Sequence, residues 1–526
     1  MSASIRSVRP FKSKYNKFNL SHSFDLSFKM GYAIPVLVQD FFPGDSFRIS
    51  WEQLSRMVPL NSPAFTKVRV RFDAFRCDSY QVWDEQTKFQ KQVETGGENT
   101  IEYPYVVVPD GGFPKGSLAD YLGYAINTGV GSKVDATIFR HYNDIINNYY
   151  INSNMQEEIE FSKASGLDTT TPITLRKVNY REDRFTGAET TTQRGSSTIL
   201  PIGTSADVDI DSDGLLKLYN TDTNKNGFLK TGTGSSLTNN VSLEVTDGAM
   251  ATDRSLSYYS GLKGTADLSS VTGVDINLLN TMEQINRYKV LSLLAGNHYP
   301  DWQEIMYGVR SSDARLQIPQ WLGSYKAPFV ISEVLQTSQT TESSPQGTMA
   351  GHGFSKSDAG LYIPRLNSFG YIIIIMTVMP TVTYDQGLPK MYQRFDPYDF
   401  PNPLFAKMPL QVIKNSEVYW QDETVVDADG KPVNDGTFAY GPIYDEARYR
   451  QNRIAGDFHD TLASMIVRRH WDSKPSFNED FIQADDNLGS EIFAVSPALQ
   501  DPLYAHIDFN IIALRKLPRV GLPSFL

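Results

Sequence analysis

The sequence predicts an all-β protein, and three observations carry that expectation. Apolar and polar side chains alternate, with Phe24, Leu26, Phe28 and Met30 in one run and Val68, Val70 and Phe72 set against Arg69, Arg71 and Asp73 in another, as in strands with one buried face. The chain holds 28 Tyr and 29 Phe, residues that suit a pleated, half-buried surface. Its 37 Gly and 28 Pro favour short strands joined by many turns over helix bundles. At 526 residues the chain is roughly two to three times a typical domain, a length that one large β domain with insertions also satisfies.

The elements follow in chain order. Residues 1–20 carry Arg6, Arg9, Lys12, Lys14 and Lys17 without an acid, interleaved with Phe11, Tyr15 and Phe18. Such an arm can neutralise phosphates and stack on unpaired bases; a solubilising tail is the other reading. The first strands begin at Ser21, PGDSFRISW is a turn feeding a strand, RMVPLNSPAF is a proline-bound loop, and Tyr103–Pro109 is a further strand. Over 139–152 the period changes: Phe139, Tyr142, Ile145, Ile146 and Tyr149 recur three and four residues apart, which predicts an inserted helix packing one apolar stripe on the sheet.

The segment Gly203–Asp275 is rich in Thr, Ser, Gly, Asn and Asp, with more acids than bases and few large apolar residues, so it cannot fill a core of its own size. Turns and short β-prone pieces, VSLEVT and LSYYSGL, predict a compact projection. Asp209, Asp211 and Asp213 before Gly214 match the first half of a calcium loop, and Asp222, Asn224 and Asn226 repeat the spacing. Both runs lack the closing glutamate, having Asn220 and Thr233 at that position, so calcium is the sharper reading and ordinary Asx-turn chemistry the plainer one.

Leu278–Gly296 has good helix propensity with a glycine stop, and Tyr371–Val378 is an apolar strand far too short to cross a bilayer. Between them Gly308–Gly353 reads as a long irregular scaffold with one short strand, FVISEVL, because Pro319 and Pro328 remove backbone donors. Within it Arg310, Asp313 and Arg315 are candidates to pin a turn, Trp321 is a candidate contact, and Gly351-His352-Gly353 permits close backbone approach. Arg394–Met408, with Tyr398 and Phe400, is an extended loop of a kind that buries rings against a neighbouring subunit. Arg448, Arg450 and Arg453 in a charged loop or short helix at 444–458 are available for intersubunit pairs. Ala505–Leu514 is the last strand, and Arg515, Lys516 and Arg519 in the tail either face nucleic acid or are solvated.

The net charge of −11 argues against a free DNA-binding protein, although a basic arm meeting phosphate only inside a closed shell is compatible with it. The single cysteine, Cys77, excludes a disulfide framework and a cysteine-rich zinc site, and its plainest role is a small buried apolar residue. No apolar stretch follows the basic start, so neither a signal peptide nor membrane insertion is expected. The seven histidines form no helical i, i+4 couple, and no phosphate loop, GxSxG elbow or complete GxGxxG is present. No cofactor and no enzymatic activity are expected; only a carboxylate pair assembled by folding would leave a glycosidase open.

Several motifs occur in a fixed order: NLSHSF with a trailing MG at Asn19–Gly31, PGDSF at Pro43–Phe47, LADYLG at Leu118–Gly123, FRHYNDIINNYY at Phe139–Tyr150, GVRSSDARLQIPQWLG from Gly308, ISEVLQTS, PQGTMAGHG, TYDQGLPKM at Thr383–Met391 and YDEARYRQNRIAGDF at Tyr444–Phe458. Together they resemble the major capsid proteins of the Microviridae, in particular the gokushovirus type. The tract before Gln193-Arg194-Gly195 departs from that pattern, being polar where aromatics and proline are expected. The resemblance implies an eight-stranded antiparallel viral jelly roll with long loop insertions containing a few helices, its core split into 21–202 and 276–526. It implies a T=1 icosahedral capsid enclosing the circular single-stranded DNA genome of a small bacteriophage. The arm at 1–20 would lie on the inner surface and 203–275 would form the host-contacting protrusion at the three-fold axes. The partners implied are further copies of the chain, the genome, a small basic internal phage protein and a host cell-surface receptor; the location is the virion, assembled in the bacterial cytoplasm. A phage receptor-binding spike and an extracellular carbohydrate-binding β protein are the alternatives.

Overall fold

A computed structural model describes residues 14–91, 100–196, 208–210, 217–220, 225–231, 243–245, 257–258, 264–266, 276–310, 317–335, 349–408, 410–496 and 499–519. The chain divides into two compact units, 1–194 with 290–526, and 195–289. The two main sheets of the larger unit are built from β1 (Asn16–Asn19), β2 (His22–Phe28), β3 (Ile34–Phe41), β4 (Ser46–Met57), β5 (Val68–Asp78), β6 (Gln320–Pro328), β7 (Val330–Leu335), β8 (Met349–Ile363), β9 (Gly370–Pro380) and β10 (Leu503–Arg515). One sheet has the order β1-β10-β4-β8-β7, with β2 also paired to β10; the other has the order β6-β5-β9-β3, and every pairing in both is antiparallel.

The alternation expected from Phe24 onwards works as a packing code. Leu26 and Phe28 of β2, Phe47, Ile49 and Trp51 of β4, and Ile507, Phe509 and Ile511 of β10 meet Val70 and Phe72 of β5 and Ile372, Ile374 and Met376 of β9 in one core between the sheets. The run YIIIIMTV does not alternate because its strand is buried on both faces. Its odd positions, Ile373 and Ile375, leave that core and pack with Phe75 and Cys77 against Phe139, Tyr142, Ile145 and Ile146 of helix α1 (Thr137–Tyr149). The second sheet is therefore covered by a helix, while β10 keeps an exposed residue at almost every other position on the outer face of the first.

Two expectations need revision. Gln320–Pro328 is a full strand of the second sheet, paired with β5 from Arg76 to Arg69, and β8 starts at Met349, so most of the described residues of this region are sheet. The prolines deceive because they stand just before and at the last position of β6, and Gly323 at φ 153° takes up a register shift opposite β5. The expected strand at 103–109 shortens to Tyr105–Val107, paired with Lys133–Asp135. Helix α2 (Ile276–Leu294) ends before Gly296, whose φ of 74° is the left-handed stop expected of it.

In the second unit, which also holds the first part of α2, the described strands are short: Leu243–Val245, Lys225–Thr231, Lys217–Asn220 and Ser257–Tyr258 form one sheet in that order, and Val208–Ile210 pairs with Gly264–Ala266. Asn226 and Gly227 lie in a strand opposite Tyr219 and Leu218, while Asp222 and Asn224 lie outside the described residues. Asp209 is likewise a strand residue, opposite Thr265, while Asp211 and Asp213 lie outside the described residues.

Candidate assembly and nucleic-acid surfaces

The loops from Tyr384 to His470 are held from beneath by buried ions. Arg184 reaches Glu417 at 2.6 Å and Glu446 at 3.1 Å, and Arg394 reaches Glu446 at 3.3 Å. One arginine thus serves two carboxylates of different character. Burial outweighs Arg184 and Lys390 at Glu417 and pushes its carboxyl up, whereas at Glu446 burial is overcome by bonds from Gln411 and Arg184, and its carboxyl is held down. Asp385 binds Arg468 at 2.7 Å and His470 at 3.0 Å. These pairs tie together positions far apart in sequence, and short-range motifs carry no signal for them.

On this base sits the segment 391–408, which puts apolar side chains into water: Phe395 is 89% exposed, Tyr398 75%, Leu404 83%, and Phe400 and Met408 are also exposed. The loop is ordered by its own caps. The Asp399 carboxylate accepts from the Phe395 and Asp396 amides, Asp396 accepts from Tyr398, and Asn402 accepts from Leu404. Rigid display of exposed rings is the arrangement of a docking surface, because little entropy remains to be lost on contact. Phe395, Leu404 and Met408 belong to the segment singled out in the sequence, but alternation could not tell which of its side chains face outwards.

Arg448, Arg450 and Arg453 are exposed beside this segment, with Arg450 3.8 Å from the Met391 sulfur. Trp321 is 46% exposed at the bulge of β6, and Arg310 is exposed 3.9 Å from Glu304. Asp313 and Arg315 lie outside the described residues. His352 is half-buried in β8, and the glycines beside it do allow close approach: an added Cβ would stand 2.9 Å from Leu60 at Gly351 and 2.5 Å from the Met57 sulfur at Gly353. Both neighbours belong to the same chain, so this approach serves the fold.

Of the expected phosphate ligands, Arg6, Arg9 and Lys12 lie outside the described residues, while Lys14, Lys17 and Arg519 are exposed. Arg515 is a correction. It is only 8% exposed, ion-paired to Asp45 at 2.9 Å and Asp40 at 3.2 Å, so its charge is committed to the fold. Lys516 stands 5.4 Å from the Tyr15 ring centre. Among the described residues, no cluster of three or more His, Cys, Asp or Glu is placed to hold a metal ion, and no helix is long and apolar enough to cross a membrane.

A family model described as capsid protein (F protein) matches residues 6–525. The chain is 27% identical to capsid protein VP1 of Chlamydia phage 1, across 97% of this chain and 95% of the relative. It is 28% identical to capsid protein VP1 of Bdellovibrio phage phiMH2K, across 99% and 97%, and 25% identical to capsid protein VP1 of Spiroplasma virus 4, across 100% and 98%.

Proposed function

Because the chain belongs to the capsid protein (F protein) family and is a structural major capsid protein rather than an enzyme, we propose that its copies close into a T=1 icosahedral shell around a circular single-stranded DNA genome. The observation that carries the assembly reading is the rigid apolar loop with Phe395, Tyr398 and Leu404 in water, a surface that is covered when copies meet. Strand orders β2-β10-β4-β8 and β3-β9-β5-β6 support reading the sandwich as an eight-stranded jelly roll, with its core in 21–202 and 276–526. The acidic net charge with cations gathered at the chain start supports an inner-surface arm at 1–20 that neutralises genome phosphate. The polar composition of 203–275 supports a host-contacting protrusion at the three-fold axes that meets a cell-surface receptor. Assembly takes place in the bacterial cytoplasm, and a small basic internal protein shares the condensation of DNA. Calcium at Asp209, Asp211 and Asp213 remains a proposal resting on spacing alone.

The test is negative-stain electron microscopy with sedimentation of the full chain expressed in a bacterium. Uniform round particles are the expected result; a small closed oligomer that encloses no DNA would overturn the shell in favour of a spike. Deleting residues 1–18 leaves shells but lowers their DNA content, and an unchanged content would remove the arm's proposed role.

A further inference from the structure

The pairing of β1 with β10 places the chain's two basic ends side by side, with Asn16 opposite Arg515, Lys17 opposite Leu514, and the Asn16 amide donating to the Leu517 carbonyl at 2.7 Å. The same end of the sheet collects residues that the sequence did not single out. Arg48 of β4 and Tyr362 of β8 are direct cross-strand partners, both exposed, Tyr362 by 70%. Arg365, just past β8, lies 5.6 Å from the Tyr15 ring centre, with Lys516 at 5.4 Å, and the Tyr15 ring is still 45% exposed.

We propose that Tyr15, Lys17, Arg48, Tyr362, Arg365 and Lys516 form one composite site for single-stranded nucleic acid, in which the cations follow the backbone and the two tyrosines stack bases. The site rests on the nucleic-acid reading of the basic arm given above and extends it from a tail to a built surface. Exposed rings among cations on a sheet suit single strands because every base presents a π-face, whereas a duplex hides its bases. Arg515 pairs with Asp40 and Asp45 and offsets one of their two charges, and Lys17, Arg48, Arg365 and Lys516 leave this end with an excess of positive charge. Further along the same face the chemistry reverses: Asp508, Glu52 and Asp358 stand in one cross-strand row. That row lies four residues from Arg48, about 13 Å along the strand, beyond the screening length of about 8 Å at physiological salt. At that distance the acidic row leaves the attraction of the basic end for phosphate intact.

The test is fluorescence anisotropy of a labelled oligo(dT) of about 20 nucleotides, with a duplex of equal length as control, titrated with the purified full-length chain over a range of salt. The side chains replaced are exposed, and circular dichroism confirms that each variant is folded. Arg48→Gln with Arg365→Gln should lower the slope of log affinity against log salt by about 1.4, the share of two single-strand phosphate contacts. Tyr15→Leu with Tyr362→Leu should weaken oligo(dT) about tenfold or more with the slope unchanged. If these variants bind like the wild type while deletion of residues 1–13 weakens binding, the composite site is wrong and the arm reading stands. If they weaken binding and the deletion does not, the composite site stands and the arm reading falls. A wild-type chain that does not bind, or prefers the duplex, overturns the site.

Discussion

Arg140 and Asp168 pair at 2.7 Å with neither side chain exposed, and the pair is saturated by further bonds: Arg140 donates to the Val82 and Ala164 carbonyls, and Thr171 donates to Asp168 at 2.6 Å. Burial works to raise the Asp168 carboxyl, but the bonds from Thr171 and Arg140 outweigh it and hold it down. Removing one partner strands a buried charge, so Asp168→Asn should cost about 3–5 kcal/mol in urea unfolding of the subunit. One and four residues on, helix α1 carries two groups that titrate in opposite senses. His141 has no hydrogen-bond partner at either nitrogen, and burial, with Arg140 adding to it, lowers it to about 3; burial raises Asp144 to about 7 despite Lys163 and Asn148. Between pH about 3 and 6.5 the unfolded chain binds the histidine proton more readily, so His141 makes stability rise with pH. Between about 4 and 7 the folded chain holds the Asp144 proton, so Asp144 makes stability fall with pH. The two slopes offset each other from about pH 4 to 6.5. Asp144→Asn should leave melting temperatures that climb across that window and His141→Gln temperatures that drop across it; flat profiles for both would refute the pairing.

Among the described elements, β9 is tightly constrained, having cores on both faces and β3 and β5 on its two edges. Its first residue shows how close the fit is: a Cβ on Gly370 would collide with the Cys77 carbonyl, a backbone atom that cannot turn aside. At Gly353 the obstacle is the flexible end of Met57. Gly370→Ala should therefore cost about 3 kcal/mol or more and Gly353→Ala only about 1 kcal/mol, measured by thermal unfolding, with the order of the two being the decisive result. The capped loop at 391–408 is the opposite kind of element, ordered but uncovered. Phe395→Asp with Leu404→Asp should change subunit stability by less than about 0.5 kcal/mol per site while abolishing particles in sedimentation.

For the whole molecule, the sandwich is closed by a pairing between distant parts of the chain: β2 lies against β10 from His22–Phe509 to Phe28–Leu503. The consequence is that Asn16–Asn19, at the end of the basic stretch, is hydrogen-bonded into the strand that ends at Arg515 and leads to Lys516. This closure brings Tyr15 and Lys17 beside the residues that β4 and β8 contribute to the composite surface.

Much of this was legible in local pattern. The period-two runs named β2 and β5, the three- and four-residue spacing of Phe139, Tyr142 and Ile145 named α1, and the unbroken Tyr371–Val378 run named a fully buried strand, because the geometry of a strand or helix is repeated in the residues that make it. β6 was hidden because prolines at its ends and Gly323 within it mimic a loop, and only pairing with β5 makes it a strand. Arg515 shows the other limit. Beside Lys516 it reads as one more tail cation, yet the β10 register turns it onto Asp40 and Asp45. Which elements form, and the family motifs they carry, were written locally in the sequence; which strands become neighbours and which charges meet depended on chain crossings over hundreds of residues, decided by the tertiary structure.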